Sequence, residues 1–134
     1  FGVMTDTKQE YNEHEIFWKN ATGDVLITGL GIGFSHCNLV NNPNITSVTI
    51  IEKYQDVIDL VWDHCSKDDR FNLIHADANT WEIEGYWDCI WIDHWVLNIS
   101  EDTIDDFIKS MTTKYSPHCS WLGFWLKERD KHEK

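Results

Sequence analysis

Three glycines at alternating positions, Gly29, Gly31 and Gly33, follow the apolar-leaning run Val25-Leu26-Ile27-Thr28. Glycines spaced in this way let a turn bring bare backbone against a ligand, and an unbroken apolar run between turn signals reads as a strand buried on both faces. Glu52 ends a second such run, Val48-Thr49-Ile50-Ile51, 19 residues after Gly33. In a sheet that binds nucleotides at its strand tips, an acid about 20 residues beyond the glycines accepts hydrogen bonds from ribose hydroxyls. Asp93 follows another apolar stretch, Trp87 to Ile92, at the end where open parallel sheets present their chemistry. Its carboxylate is the candidate to orient or deprotonate an amine, or else only to hold a cofactor's ammonium group or cap the following segment. His94 and Trp95 stand at the same mouth and are candidate substrate contacts by position alone.

The elements that must carry these groups alternate strand and helix. Residues 1–20 are polar and end in a short helical pattern, a leader that packs Ile16, Phe17 and Trp18 on the sheet, before Ala21-Thr22-Gly23 breaks it. Strand one follows, then a crossover helix over Ser35–Asn42 with its amides and positive dipole end aimed at the ligand, stopped by Asn41-Asn42-Pro43-Asn44. Strand two covers Ser47–Ile51, and apolar residues at 57, 58, 60, 61 and 65 predict a helix over Gln55–Cys65. Strand three runs from Phe71 to Ala76, strand four from Trp87 to Ile92, and Ile104, Phe107, Ile108 and Met111 form the stripe of a helix over Ser100–Lys114. Ser120–Leu126 is the fifth strand, ahead of a charged tail, Lys127–Lys134. Right-handed crossovers then give an α/β, Rossmann-like three-layer sandwich with a mainly parallel sheet of about five strands in the order 3-2-1-4-5. Residues 21–134 form its single domain.

A dinucleotide fingerprint G-x-G-x-x-G would put its third glycine at position 34, which is phenylalanine; here it comes one residue early. Gly29-Leu30-Gly31-Ile32-Gly33, Ile51-Glu52 with Asp56-Val57-Ile58, His75-Ala76-Asp77-Ala78 and Trp87-Asp88-Cys89-Ile90-Trp91-Ile92-Asp93 occur in order. Together they resemble the class I S-adenosylmethionine (SAM)-dependent methyltransferases, and in particular their spermidine-synthase-like relatives, over roughly residues 6–125. The resemblance implies SAM as cofactor, or decarboxylated SAM for aminopropyl transfer. It implies Gly29, Gly31 and Gly33 against the methionine and ribose, Glu52 on the ribose, and Asp77 with Ala78 on the adenine. Read without the family, Asp77 caps the short turn Ala78-Asn79-Thr80. Asp93 matches an aspartate that handles the amine in polyamine synthases, and Tyr11 lies in an acidic segment similar to one that closes their site over substrate. Ile27 and Ile32 stand where methyltransferases and polyamine synthases, respectively, often carry an acid, and Asp93-His94-Trp95-Val96 is not the motif of enzymes that methylate bases or glutamine. The implied activity is methyl transfer to a small molecule or side chain, with aminopropyl transfer or a non-catalytic SAM-binding module as alternatives.

With 23 Asp and Glu against 11 Lys and Arg, the formal net charge is −12. That field repels a phosphate backbone, so nucleic acid is disfavoured, and it suits an amine-bearing substrate. Four cysteines, Cys37, Cys65, Cys89 and Cys119, form no C-x-x-C pair and read as small buried apolar groups in a reducing cytosol, and no metal site is expected. Of the eight tryptophans, Trp91, Trp121 and Trp125 fall in predicted strands as core, while Trp81, Trp87 and Trp95 fall near strand ends, where one could stack on adenine. No 18-residue apolar span and no cleavable leader are seen, so cytoplasmic localisation is expected. The sheet is truncated relative to the seven-stranded methyltransferase fold, which leaves one edge open for a second subunit, as in a homo-oligomer, or for further chain.

Overall fold

A computed structural model describes residues 7–31, 33–94 and 101–127; the side chains of 7–11 and of 101 and 102 are outside the described set, as are Trp95 and Ile32. The elements are α1 (Thr7–Asn20), β1 (Gly23–Thr28), α2 (Phe34–Cys37), β2 (Ile45–Glu52), α3 (Gln55–Val61), β3 (Phe71–His75), β4 (Trp87–Ile92), α4 (Glu101–Tyr115) and β5 (Cys119–Phe124). All four strand pairings are parallel, and the sheet order is β3-β2-β1-β4-β5. This is the expected α/β Rossmann-like sandwich, with both faces of the central strands covered, as a wholly parallel sheet requires.

Residues alternate between the two faces. Val25, Ile27, Ile50 and Trp91 pack with Phe17 of α1, Leu39 and the α3 side chains Val57 and Val61. Leu26, Ile51, Ile90 and Ile92 face Phe107, Met111 and Tyr115 of α4. Phe17 is fully buried and stacks on Trp91 with ring centroids 5.0 Å apart, so the N-terminal helix is part of the core. Trp121 also stacks on Trp91, with ring centroids 6.3 Å apart. Trp125 lies one residue beyond β5, where 125–127 turn helical, and donates its indole N–H to Glu13 of α1 at 3.1 Å.

Two helices are shorter than the sequence pattern predicts. The expected Ser35–Asn42 helix is only Phe34–Cys37, and the chain continues as turns closed by i to i−3 bonds from Leu39, Asn42 and Ile45. The Ser35 carbonyl, the acceptor that Leu39 N–H would use in a continuing helix, instead takes the Trp18 indole N–H at 2.8 Å, and the Arg70 guanidinium then holds the turns by donating to the carbonyls of Leu39, Asn42 and Ile45. No dipole argument stands on four residues, so the expected ligand contact at that helix end falls away. The helix expected to reach Cys65 stops at Val61, with Lys67 Nζ bonded to the Trp62 carbonyl at 2.5 Å. Strand three ends at His75, one residue short of the expectation. Among the described residues, no helix is long and apolar enough to cross a membrane, and no cluster of His, Cys, Asp or Glu could hold a metal ion. The four cysteines are free thiols.

Candidate functional site

Parallel register brings the strand tips together. Thr28 pairs with Ile51 on one side and Ile92 on the other, and Glu52 pairs with His75. The ladders continue one step past the strands: Gly29 N–H donates to Ile51 O at 2.6 Å, Ala76 N–H to Glu52 O at 3.0 Å, and Asp93 N–H to Thr28 O at 2.9 Å. Gly29, Glu52, Asp77 and Asp93 are therefore neighbours at the carboxyl edge, where β1 and β4 diverge from the strand order. Between them lies a cavity of about 390 Å³, within the range of small-ligand sites. Its walls are Gly29, Gly31, Glu52, Asp77, Ala78, Asp93 and His94, with Ile51, Lys53, Tyr54, Val57, Ala76 and Asn79.

The glycine loop is shaped for this place. Gly29 has φ 96°, and a Cβ there would stand 2.9 Å from the Asp93 carbonyl oxygen, so the β1 and β4 tips approach only through glycine. Gly31 has φ 55°, and a Cβ would meet nothing within 4 Å, leaving its backbone bare to the cavity. Gly33 departs from expectation. It does not line the cavity, and its missing side chain instead makes room for Cys65, whose Cβ is 2.7 Å from the would-be Cβ.

Glu52 is buried, and its carboxylate is already in use: Oε1 accepts from Leu30 N–H at 2.8 Å and Oε2 from Tyr54 N–H at 3.0 Å. It therefore clamps the glycine loop to β2, and each oxygen keeps a second lone pair for a ligand hydroxyl. Asp77 does cap its turn, with Oδ1 accepting from Asn79 N–H at 2.9 Å, while Oδ2 lies 3.5 Å from Lys53 Nζ. The Asn79 amide, and then the Lys53 charge, hold its carboxyl below the usual carboxylate range. Ala78 is buried at the cavity wall, and its carbonyl accepts from Tyr115 O–H at 2.5 Å, tying the turn to α4.

His94 is held at both ring nitrogens. Nδ1 is 2.6 Å from Thr28 Oγ1 and Nε2 is 3.0 Å from Asn79 Oδ1. A carbonyl oxygen only accepts, so Nε2 carries the proton and Thr28 donates to Nδ1. Burial pushes the ring down to about 4, so it is neutral near pH 7, and it acts as a strut between the β1 tip and the Asn79 turn. Asp93 has one oxygen engaged and one available. Ser35 Oγ donates to Oδ2, and Nε2 of the fully buried His14 is 3.5 Å from the same atom and 3.1 Å from Ser35 Oγ. Oδ1 has no hydrogen-bond partner among the described residues.

Of the sequence-predicted residues, Gly29, Gly31, Glu52, Asp77, Ala78, Asp93 and His94 thus converge on one cavity, and Gly33 does not. Trp95 and the Tyr11 side chain lie outside the described residues. Neither Trp81 nor Trp87 lines the cavity; among the described residues the Tyr54 ring does, exposed and with Lys53 Nζ 5.4 Å from its centroid. Sequence reasoning missed Tyr54, Lys53, Thr28, Ser35, Asn79 and His14. The first two directly follow Glu52, which was signal enough; His14 carried none, because only folding brings α1 to β4.

No protein-family description matches the chain, and no curated protein matches it in sequence. Solved structures do match in shape. DhpI in complex with SAM and HEP superposes with a TM-score of 0.62 at 20% identity, covering 90% of this chain and 56% of DhpI. The N-methyltransferase NodS from Bradyrhizobium japonicum WM9 gives 0.59 at 15% identity, covering 81% of this chain and 64% of NodS. The methyltransferase domain of bacterial CtHen1 gives 0.57 at 15% identity, covering 81% and 61%. This chain spans between half and two thirds of the length of these structures. At such identities the likeness is one of architecture, and the chain has the fold seen in the SAM-bound and methyltransferase structures it resembles.

Proposed function

We propose that this chain binds SAM in the strand-tip cavity and transfers its methyl group to the nitrogen of an amine-bearing small molecule or side chain. The observation that carries the reading is the convergence of bare glycine backbone, the Glu52 carboxylate and the Asp77–Ala78 turn on one cavity. These groups supply close approach, an acceptor for ribose hydroxyls and an acceptor beside the adenine site. The neighbours' bound ligand and their stated activities support the same reading.

Methyl transfer from a sulfonium asks mainly for alignment and shielding of charge. A nitrogen acceptor suits the available groups. The His94 lone pair is taken by Thr28, so among the described residues no free imidazole lines the cavity to deprotonate an alkyl hydroxyl. The Asp93 carboxylate is a weak base but a good partner for nitrogen that becomes cationic. The same carboxylate would serve an amine in aminopropyl transfer, so the spermidine-synthase-like alternative differs only in the cofactor.

Calorimetry with SAM, its demethylated product SAH and decarboxylated SAM tests both readings. Saturable binding of SAM and SAH is expected, with decarboxylated SAM weaker; preference for decarboxylated SAM would favour aminopropyl transfer, and binding of none of the three would overturn the cofactor assignment.

A further inference from the structure

The two oxygens of Asp93 are in different situations. Oδ2 is held by the Ser35 hydroxyl and the His14 imidazole, while Oδ1 belongs to a carboxylate at the cavity wall and meets no described partner. With Ser35 donating to Asp93, its oxygen is left to accept from His14 Nε2–H, so the three side chains form one directed chain. His14 is fully buried and enclosed by the rings of Trp18, Phe34 and Trp91, with centroids 5.8, 5.2 and 5.7 Å away. A second bond, from Trp18 Nε1 to the Ser35 carbonyl at 2.8 Å, fixes α1 against the same residue. Burying a histidine and a serine in an aromatic wall is costly unless their polar atoms are paired, and the partner they share is the carboxylate at the mouth. No described residue of α1 lines the cofactor cavity, so this arrangement serves Asp93 rather than the nucleotide.

We propose that His14 and Ser35 are positioning residues, which hold Asp93 Oδ2 so that Oδ1 is presented to the nitrogen of the amine acceptor. The inference rests on the methyl-transfer reading above. In the step itself, the nitrogen lone pair forms the new C–N bond while the C–S electron pair returns to sulfur, leaving a neutral thioether. The amine, an ammonium in water, gives one proton to water through that carboxylate before it attacks, and the methylated nitrogen then leaves as a cation from beside Oδ1. Without His14 and Ser35 the carboxylate can rotate, and the acceptor loses its alignment with the methyl group.

The test uses the full chain, SAM, SAH and butylamine as the amine probe. SAH affinity, read by calorimetry, controls for folding of each variant. Turnover, read as SAH release, reports alignment. His14→Leu and Ser35→Ala are expected to lower kcat by roughly tenfold to hundredfold, with SAH affinity retained. His14→Gln, whose amide still donates toward Ser35, is expected to recover most of the rate, a rescue that mere filling of space would not produce. Wild-type kcat in His14→Leu, or equal loss in His14→Gln and His14→Leu at full SAH affinity, overturns the proposal, as does wild-type protein that binds SAH but neither binds nor methylates butylamine. If the wild type binds no SAH, the cofactor reading fails separately. Butylamine titrated into the ligand-free chain then decides: binding lost in both Asp93→Asn and His14→Leu supports the positioning role, and its persistence in His14→Leu overturns it.

Discussion

Replacing Glu52 by Gln separates the clamp that its carboxylate forms from the ribose contact proposed for it. In the folded chain its oxygens accept from the amides of Leu30 and Tyr54 at 2.8 and 3.0 Å, at a buried position. Glutamine keeps one acceptor oxygen, but its NH₂ group then confronts the other amide, so one charge-assisted bond is lost and a buried donor is left unpaired. A hydrogen bond to a charged group contributes about 2 kcal/mol. For a chain of this length that corresponds to a fall of roughly 8 °C in the melting temperature of the ligand-free protein. In the proposed site the ribose hydroxyls would lose an acceptor, and a further loss of about 2 kcal/mol is expected as a roughly thirtyfold rise in Kd for SAH. Thermal denaturation without ligand reads the first effect and calorimetry with SAH the second. Unchanged melting would refute the clamp, and unchanged SAH affinity in a folded Glu52→Gln variant would refute the placement of the ribose.

Gly29→Ala places a Cβ 2.9 Å from the Asp93 carbonyl at φ 96°; backbone cannot step aside as a side chain can, so loss of SAH binding and destabilisation by about 2 kcal/mol are expected in calorimetry and denaturant unfolding. His94 and His36 are both pushed down to about 4 by burial, below their unfolded value of about 6.5. Between those values the unfolded chain binds the extra protons, so stability is full above about pH 6.5 and falls as pH drops toward 4. Each histidine contributes a slope approaching 1.4 kcal/mol per pH unit there, and urea titrations at several pH values showing no fall across that window would contradict the assignment. Phe17→Ala removes a fully buried ring stacked on Trp91 and is expected to destabilise by about 3 to 5 kcal/mol in urea unfolding; a cost below about 1 kcal/mol would mean that α1 is not part of the core. Asp93→Asn, which keeps shape but loses charge, is expected to abolish amine methylation while retaining SAH affinity within a few fold; unchanged turnover would remove Asp93 from the chemistry.

Local pattern carried a good deal. The apolar runs at Val25–Thr28, Val48–Ile51 and Cys89–Ile92 read as strands because a strand buried on both faces needs little beyond continuous apolar character. The alternation of strands and helices, with the handedness of crossovers, then implied the sheet order that is observed. Since parallel strands all end on one edge, the acids that follow them, Glu52, Asp77 and Asp93, were legible as a site before any contact was known. Other features depended on groups far apart in the chain. The Trp18 indole takes the Ser35 carbonyl that would have lengthened α2, Cys65 rather than a ligand occupies the space left by Gly33, and His14 meets Asp93 across 79 positions of sequence because Phe17 docks α1 on Trp91. Periodicity and spacing report what a residue's own neighbours require; which oxygen of Asp93 is held is set by side chains that only tertiary packing brings within hydrogen-bond reach.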